Sequence, residues 1–232
     1  MKELVDYHPL NWIEANTLQP LSYESDKCEY KTVECAIPRG FQAYCKILHA
    51  MYIDETVSDK SELWDTYEDV EPTLSRRIYW KDISKELGIP LKPEINGFTF
   101  WCHFNKNWPR YLVSAEGATM DSDSFEQLIE LLPNHEGCYY YYHLLKSESY
   151  HPRLFRGNLS EVNSLIQQDD LRGTPTYIWS EDKHWCVCTD YDLDFTIVGG
   201  TEELIEEICA NETLETLRVE LTTRIDYKSY VV

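Results

Sequence analysis

The chain has 232 residues, of which 43% are hydrophobic and 13% aromatic, and its 41 acidic side chains outnumber 21 basic ones for a net charge of −20. That length buries a core without staples, and the composition is that of a folded rather than a disordered chain. The charge repels nucleic-acid backbones and anionic membrane surfaces, and no apolar run reaches spanning length, so neither nucleic acid nor membrane is expected as a partner.

The opening MKELVDYHPLNWIE lacks the apolar stretch of a signal peptide. The eight cysteines are therefore read as reduced, mostly buried thiols of a cytoplasmic protein.

Residues 1–39, punctuated by Pro9, Pro20 and Pro38, read as an irregular segment packed on the body of the protein. Residues 40–232 read as a single α+β domain. Its first strand is expected over Gly40–Tyr52, with Phe41, Ala43, Cys45, Ile47, His49 and Met51 on one face. A short helix is expected near Glu62–Glu68. A second follows in RRIYWKDISKELGIPLKP, where Tyr79, Trp80, Ile83 and Leu87 share a face and Gly88 suits the C-terminal cap.

Beyond residue 97, GFTFWCHF and PRYLVSAEG read as strands. DSDSFEQLIELL reads as a helix with Asp123 as cap and Glu126 three residues on. CYYYYHLL is a strand. LSEVNSLIQQ is a helix opened by Asn158 and Glu161 at capping-box spacing. TPTYIWS and KHWCVCTDYD are strands. DFTIVGG precedes the helix TEELIEEICA, and TLRVEL closes as a strand. The fold expected is a mixed or mostly antiparallel sheet with a few helices packed on it. The order strand, acidic-capped helix, strand recurs in residues 110–142 and 194–221, which raises an internal duplication as one explanation.

The stretch KHWCVCTDYDLDFTIVGG concentrates chemistry. Asp190, Asp192 and Asp194 match the first three ligand positions of a calcium loop, but Phe195 and Thr201 stand where that loop needs glycine and glutamate. His184, Cys186, Cys188 and Asp190 would project from one strand face over roughly 20 Å, too far for one zinc ion. Gly199-Gly200 precedes two glutamates rather than a lysine, which disfavours phosphate; a tight turn with Thr201 as helix cap is expected instead.

No GxSxG, HExxH or cysteine-protease context occurs. No catalytic residue, metal ligand or cofactor is assigned. The candidate ligand-binding residues are Trp179, His184, Cys186, Cys188, Asp190 and Asp192. Among the aromatics of the central strands, Tyr139, Tyr141 and Trp101 are the candidates for gripping a partner.

The segment WSEDKHWCVCTDYDLDFTIVGGTEELIEEI resembles one found in uncharacterised bacterial proteins, with W-x-V-x-T-D-x-D and a later GG before a helix. ISKELGIPLKPEINGF resembles, over a shorter span, the Smi1/Knr4-like immunity family. The first resemblance carries no function; the second implies a protein that neutralises a toxin. The expectation is a cytoplasmic, non-enzymatic interaction protein whose acidic surface engages a basic or amphipathic protein partner. The alternative is an enzyme or small-ligand protein with a cleft near residues 179–200.

Overall fold

The structure is a computed structural model, and it describes residues 1–18, 31–64, 71–115, 117, 119–133, 137–143, 151–168, 170–171 and 173–226. Among these, eleven strands and seven helices form an α+β fold. The strands are β1 (Lys2–Leu4), β2 (Ala43–Leu48), β3 (Met51–Ile53), β4 (Arg76–Ile78), β5 (Leu112–Val113), β6 (Cys138–Tyr142), β7 (Arg153–Gly157), β8 (Tyr177–Ser180), β9 (Cys186–Cys188), β10 (Phe195–Gly200) and β11 (Thr216–Val219). The helices are α1 (Asn11–Asn16), α2 (Val33–Ala36), α3 (Trp80–Leu87), α4 (Gly97–His103), α5 (Ser122–Leu131), α6 (Val162–Ile166) and α7 (Glu202–Ala210).

Eight strands make one sheet in the order β1-β7-β6-β8-β9-β10-β2-β11, and β4-β3-β5 make a second, smaller one. Every neighbouring pair in both is antiparallel. The expected antiparallel α+β architecture therefore holds.

Alternation along the strands splits the interior into two cores. Cys45, Ile47, Cys138, Tyr140, Tyr142, Ile178, Trp185, Val187 and Val198 meet the apolar stripes of α5, α6 and α7. Tyr44, Leu48, Tyr141, Tyr177, Trp179, Cys186, Cys188, Phe195 and Ile197 meet α1–α4 and the small sheet.

The repeat in this fold is not the one the element order suggests. β7 and β8 flank β6, and β10 and β11 flank β2, so each outer pair is parallel with a strand between. The crossovers through α6 and α7 pass over the same face and have the same hand, as connections between parallel strands of one sheet do. The segment 110–142 is different in kind: β5 lies in the small sheet and β6 in the large one.

Several local expectations are corrected. GFTFWCHF is helix α4, because the Asn96 side chain accepts from Thr99 N at 3.1 Å while Thr99 Oγ1 accepts from Asn96 N at 3.2 Å, a capping box that overrides the β preference of the aromatics. The long first strand is two strands in two sheets, separated at His49-Ala50. The segment 1–39 contributes β1 to the sheet edge and two short helices. Asp121, not Asp123, caps α5, accepting from Ser124 N at 3.1 Å. PRYLVSAEG shortens to β5, and KHWCVCTDYD to β9. Positions 65–68 of the helix expected near Glu62 lie outside the described residues.

Other expectations hold. Gly88 closes α3 with φ of +68°, a conformation costly to other residues. Asn158 and Glu161 form a capping box, and Thr201 caps α7 by accepting from Leu204 N at 3.3 Å.

Candidate functional site

The cysteines of β9 face inward. Cys186 and Cys188 are fully buried beneath α1–α4, and burial pushes both thiols well up from their ordinary range. His184 is not on that strand. It sits in the turn before it, exposed, with Nδ1 3.0 Å from Asp182 Oδ2. Asp190 and Asp192 form the turn after the strand: Asp192 N donates to Asp190 Oδ1 at 2.9 Å. Burial raises the Asp190 carboxyl. The thiols are thus in the core, while the histidine and the aspartates stand at opposite ends of β9. Among the described residues no group of three or more His, Cys, Asp or Glu side chains is placed to hold a metal ion.

The glycines of the same stretch belong to β10, not to a tight turn. A methyl group on Gly199 would meet the Phe41 ring at 2.5 Å and the Tyr44 ring at 3.0 Å. The position admits two aromatic rings close to the backbone, which is a packing reason for glycine.

The aromatics divide in the same way. Trp179 is buried and stacks on Tyr139 with ring centroids 5.2 Å apart. Tyr141 is buried beside Tyr177. Their neighbours' hydroxyls reach backbone carbonyls: Tyr177 donates to Ala36 O at 2.7 Å and Tyr140 to Asn158 O at 2.8 Å. Tyr139 and Trp101 keep partial exposure. Tyr139 donates to Glu181, which also receives Arg156 at 2.6 Å. Trp101 packs on Phe98 in α4 at 4.8 Å.

A cleft of about 350 Å³ lies elsewhere, along β2 and β11, lined by Phe41, Gln42, Tyr44, Glu202, Arg218 and Glu220 among others. None of the six candidate ligand-binding residues lines it.

The outer side of the helix layer is acidic. α5 and α7 lie side by side over one core, and Asn211 Nδ2 donates to Gln127 Oε1 at 3.4 Å between them. Their inner stripes are Phe125 and Leu128, and Leu204, Ile205 and Ile208. Outward they expose Asp123, Glu126, Glu130, Glu203, Glu206 and Glu207. Neither helix contains a lysine or arginine. Asp123, Glu202 and Glu203 lie in first turns, where the helix dipole favours them. Glu130 lies one turn beyond Glu126, and Glu206 and Glu207 one turn beyond Glu203, so like charges repel at helical spacing.

Fold and surface together define an antiparallel α+β protein whose helices α5 and α7 are acidic on their outer side. No protein-family model, curated protein or solved structure matches the chain.

Proposed function

We propose that this is a non-enzymatic interaction protein of the cytoplasm whose acidic helix layer binds a basic or amphipathic protein, in the manner of an immunity protein that neutralises a toxin. The observation that carries the reading is the pairing of α5 and α7, which present six exposed carboxylates and no base. The net charge of −20 extends the same field around the molecule. Such a field steers an oppositely charged partner and speeds its encounter. The burial of Cys186 and Cys188 is consistent with a structural role for the β9 stretch.

Capture on the immobilised chain tests the proposal when run beside a variant carrying Glu126→Lys, Glu203→Lys, Glu206→Lys and Glu207→Lys. The expected partner is a basic protein held by the native chain at low salt. It is released at about 1 M salt, where the screening length falls to about 3 Å, and it is lost from the variant. A partner retained equally by both chains, or no saturable partner at low salt, would overturn the proposal.

A further inference from the structure

The large sheet ends in two strands that are finished differently. β1 is three residues long and carries Lys2 and Glu3, the short charged form of edge that discourages further pairing. β11 keeps a regular antiparallel register with β2 over four residues, without proline or bulge. Just before it, Leu48 N donates to Glu215 O at 2.8 Å. Bonded pairs recur at every second residue of an antiparallel ladder, so Leu217 and Val219 bond to β2. Thr216 and Arg218 turn their N–H and C=O groups the other way, where no strand of the described residues pairs with them. Turns bound this open stretch. Thr213 N and Leu214 N donate to Asn211 Oδ1 ahead of it, and Glu220 N donates to Thr223 Oγ1 at 2.9 Å beyond it.

The side chains around this edge define what can pair there. Leu217 and Val219 lie on the side of the core beneath α1–α4, so an added strand meets apolar surface on that face. Thr216 and Arg218 lie opposite Ile47 and Cys45 and share their face, the side of α7. The cleft along β2 and β11 adjoins the C-terminal end of the edge, where Arg218, Val219, Glu220 and the rings of Phe41 and Tyr44 line it. Arg218 is paired with Glu202 at 2.5 Å, which leaves the exposed Glu220 as the uncompensated charge of the lining. A cation is therefore favoured at that end. A second copy of the chain is not, because it brings its own −20 against the first. None of the six outer carboxylates of α5 and α7 lines the cleft, so this surface goes beyond the one proposed above.

We propose that β11 accepts an extended basic segment of a partner protein as an added strand of the large sheet, next to β11 at its open edge. The segment runs antiparallel to β11 and exchanges a pair of backbone hydrogen bonds with Thr216 and another with Arg218. Those bonds supply the affinity, and alternate side chains supply the choice of sequence. Apolar side chains of the segment lie against Leu217 and Val219. A lysine or arginine at its N-terminal end stands opposite Glu220 and enters the cleft, an opposite-charge pair across the two strands.

Titration of the isotope-labelled whole chain with the peptide acetyl-Lys-Val-Thr-Val-Thr-amide tests the edge by NMR. The expected result is a saturable downfield shift of the Thr216 and Arg218 amide protons, with slower solvent exchange at both. The same peptide N-methylated at both threonines lacks the donors that meet β11 and should bind at least about tenfold more weakly. Glu220→Lys, at an exposed position, should weaken the unmodified peptide by about fivefold. The chain carrying Glu126→Lys, Glu203→Lys, Glu206→Lys and Glu207→Lys should keep the shifts at Thr216 and Arg218, which supports the edge even where protein capture by the helix layer fails. Equal binding of the N-methylated peptide, shifts confined to α5 and α7, or a peptide-free dimer in sedimentation with the Thr216 and Arg218 amides already protected would overturn the proposal.

Discussion

The two faces of the large sheet are covered by different means. On one, α5, α6 and α7 lay regular apolar stripes on the strands, and α5 and α7 leave an acidic exterior. On the other, short helices and the small sheet are tied down by polar groups that reach across long sequence distances. Glu215, just before β11, receives Trp80 N at 2.7 Å and Lys81 N at 2.6 Å, capping α3 from a different part of the chain. Trp80 Nε1 donates to His49 O at 2.8 Å. Asp54 and Arg110 form a buried ion pair at 3.0 Å, with the guanidinium 4.3 Å over Trp64. Lys46, fully buried in β2, lies 4.5 Å over Phe195 and donates to the Ile95 carbonyl. A periodic cover is specified locally, whereas an irregular one depends on individual partners.

Paired truncations give the largest expected effect. Trp185, on the helix side, and Trp80, on the other, are both essentially fully buried. Each Trp→Ala change should cost about 3 to 5 kcal/mol in urea unfolding, from lost burial and the cavity left behind. A loss below about 1 kcal/mol for Trp80→Ala would mean that the irregular cover is not part of the cooperative unit. Next in size is Glu215→Ala, which leaves the two N–H groups opening α3 without acceptors. About 2 to 4 kcal/mol should be lost, and Glu215→Gln, keeping one acceptor, should lose less.

Gly199→Ala follows at about 1 to 3 kcal/mol, the range for overpacking against rings that cannot retreat. A neutral result would show that Phe41 and Tyr44 move freely.

The smallest effect concerns pH. Burial lowers Lys46 to about 7, against the pull of Asp194 and Glu94, from 10.5 for an exposed lysine. Between those values the unfolded chain binds a proton that the folded chain does not, so stability rises with pH and falls as pH drops toward 7. From pH 7 to 8.5 the gain should be about 1 to 2 kcal/mol, and it should vanish in Lys46→Met. Equal pH slopes in the two chains would place the proton elsewhere.

Legibility in the sequence follows the same division. The helix layer could be read from apolar spacing and caps, as with Thr201 before α7 and Asn158 with Glu161 before α6, because those signals lie within one turn of the element they define. On the other face, α4 was hidden by its aromatics, although Asn96 and Thr99 stood at capping-box spacing. Gly199-Gly200 looked like a tight turn because nothing local reveals the Phe41 and Tyr44 rings above Gly199. Cys186 and Cys188 had a conspicuous spacing in the sequence and are core. The acidity was present in composition, but its gathering on one helix pair required knowing that α5 and α7 are neighbours.

The position of β2 also has a consequence for how the chain is made. Its two neighbours in the sheet are β10 and β11, and His49 at its end meets Thr196 across 147 residues of sequence. During synthesis this strand, buried on both faces in the finished fold, emerges early and waits for almost the whole chain before either edge is paired. Folding dominated by such distant pairings is slow and exposes strand edges. Nascent chains stalled before residue 195 should therefore depend on chaperone protection, and the large sheet closes last around its earliest long strand.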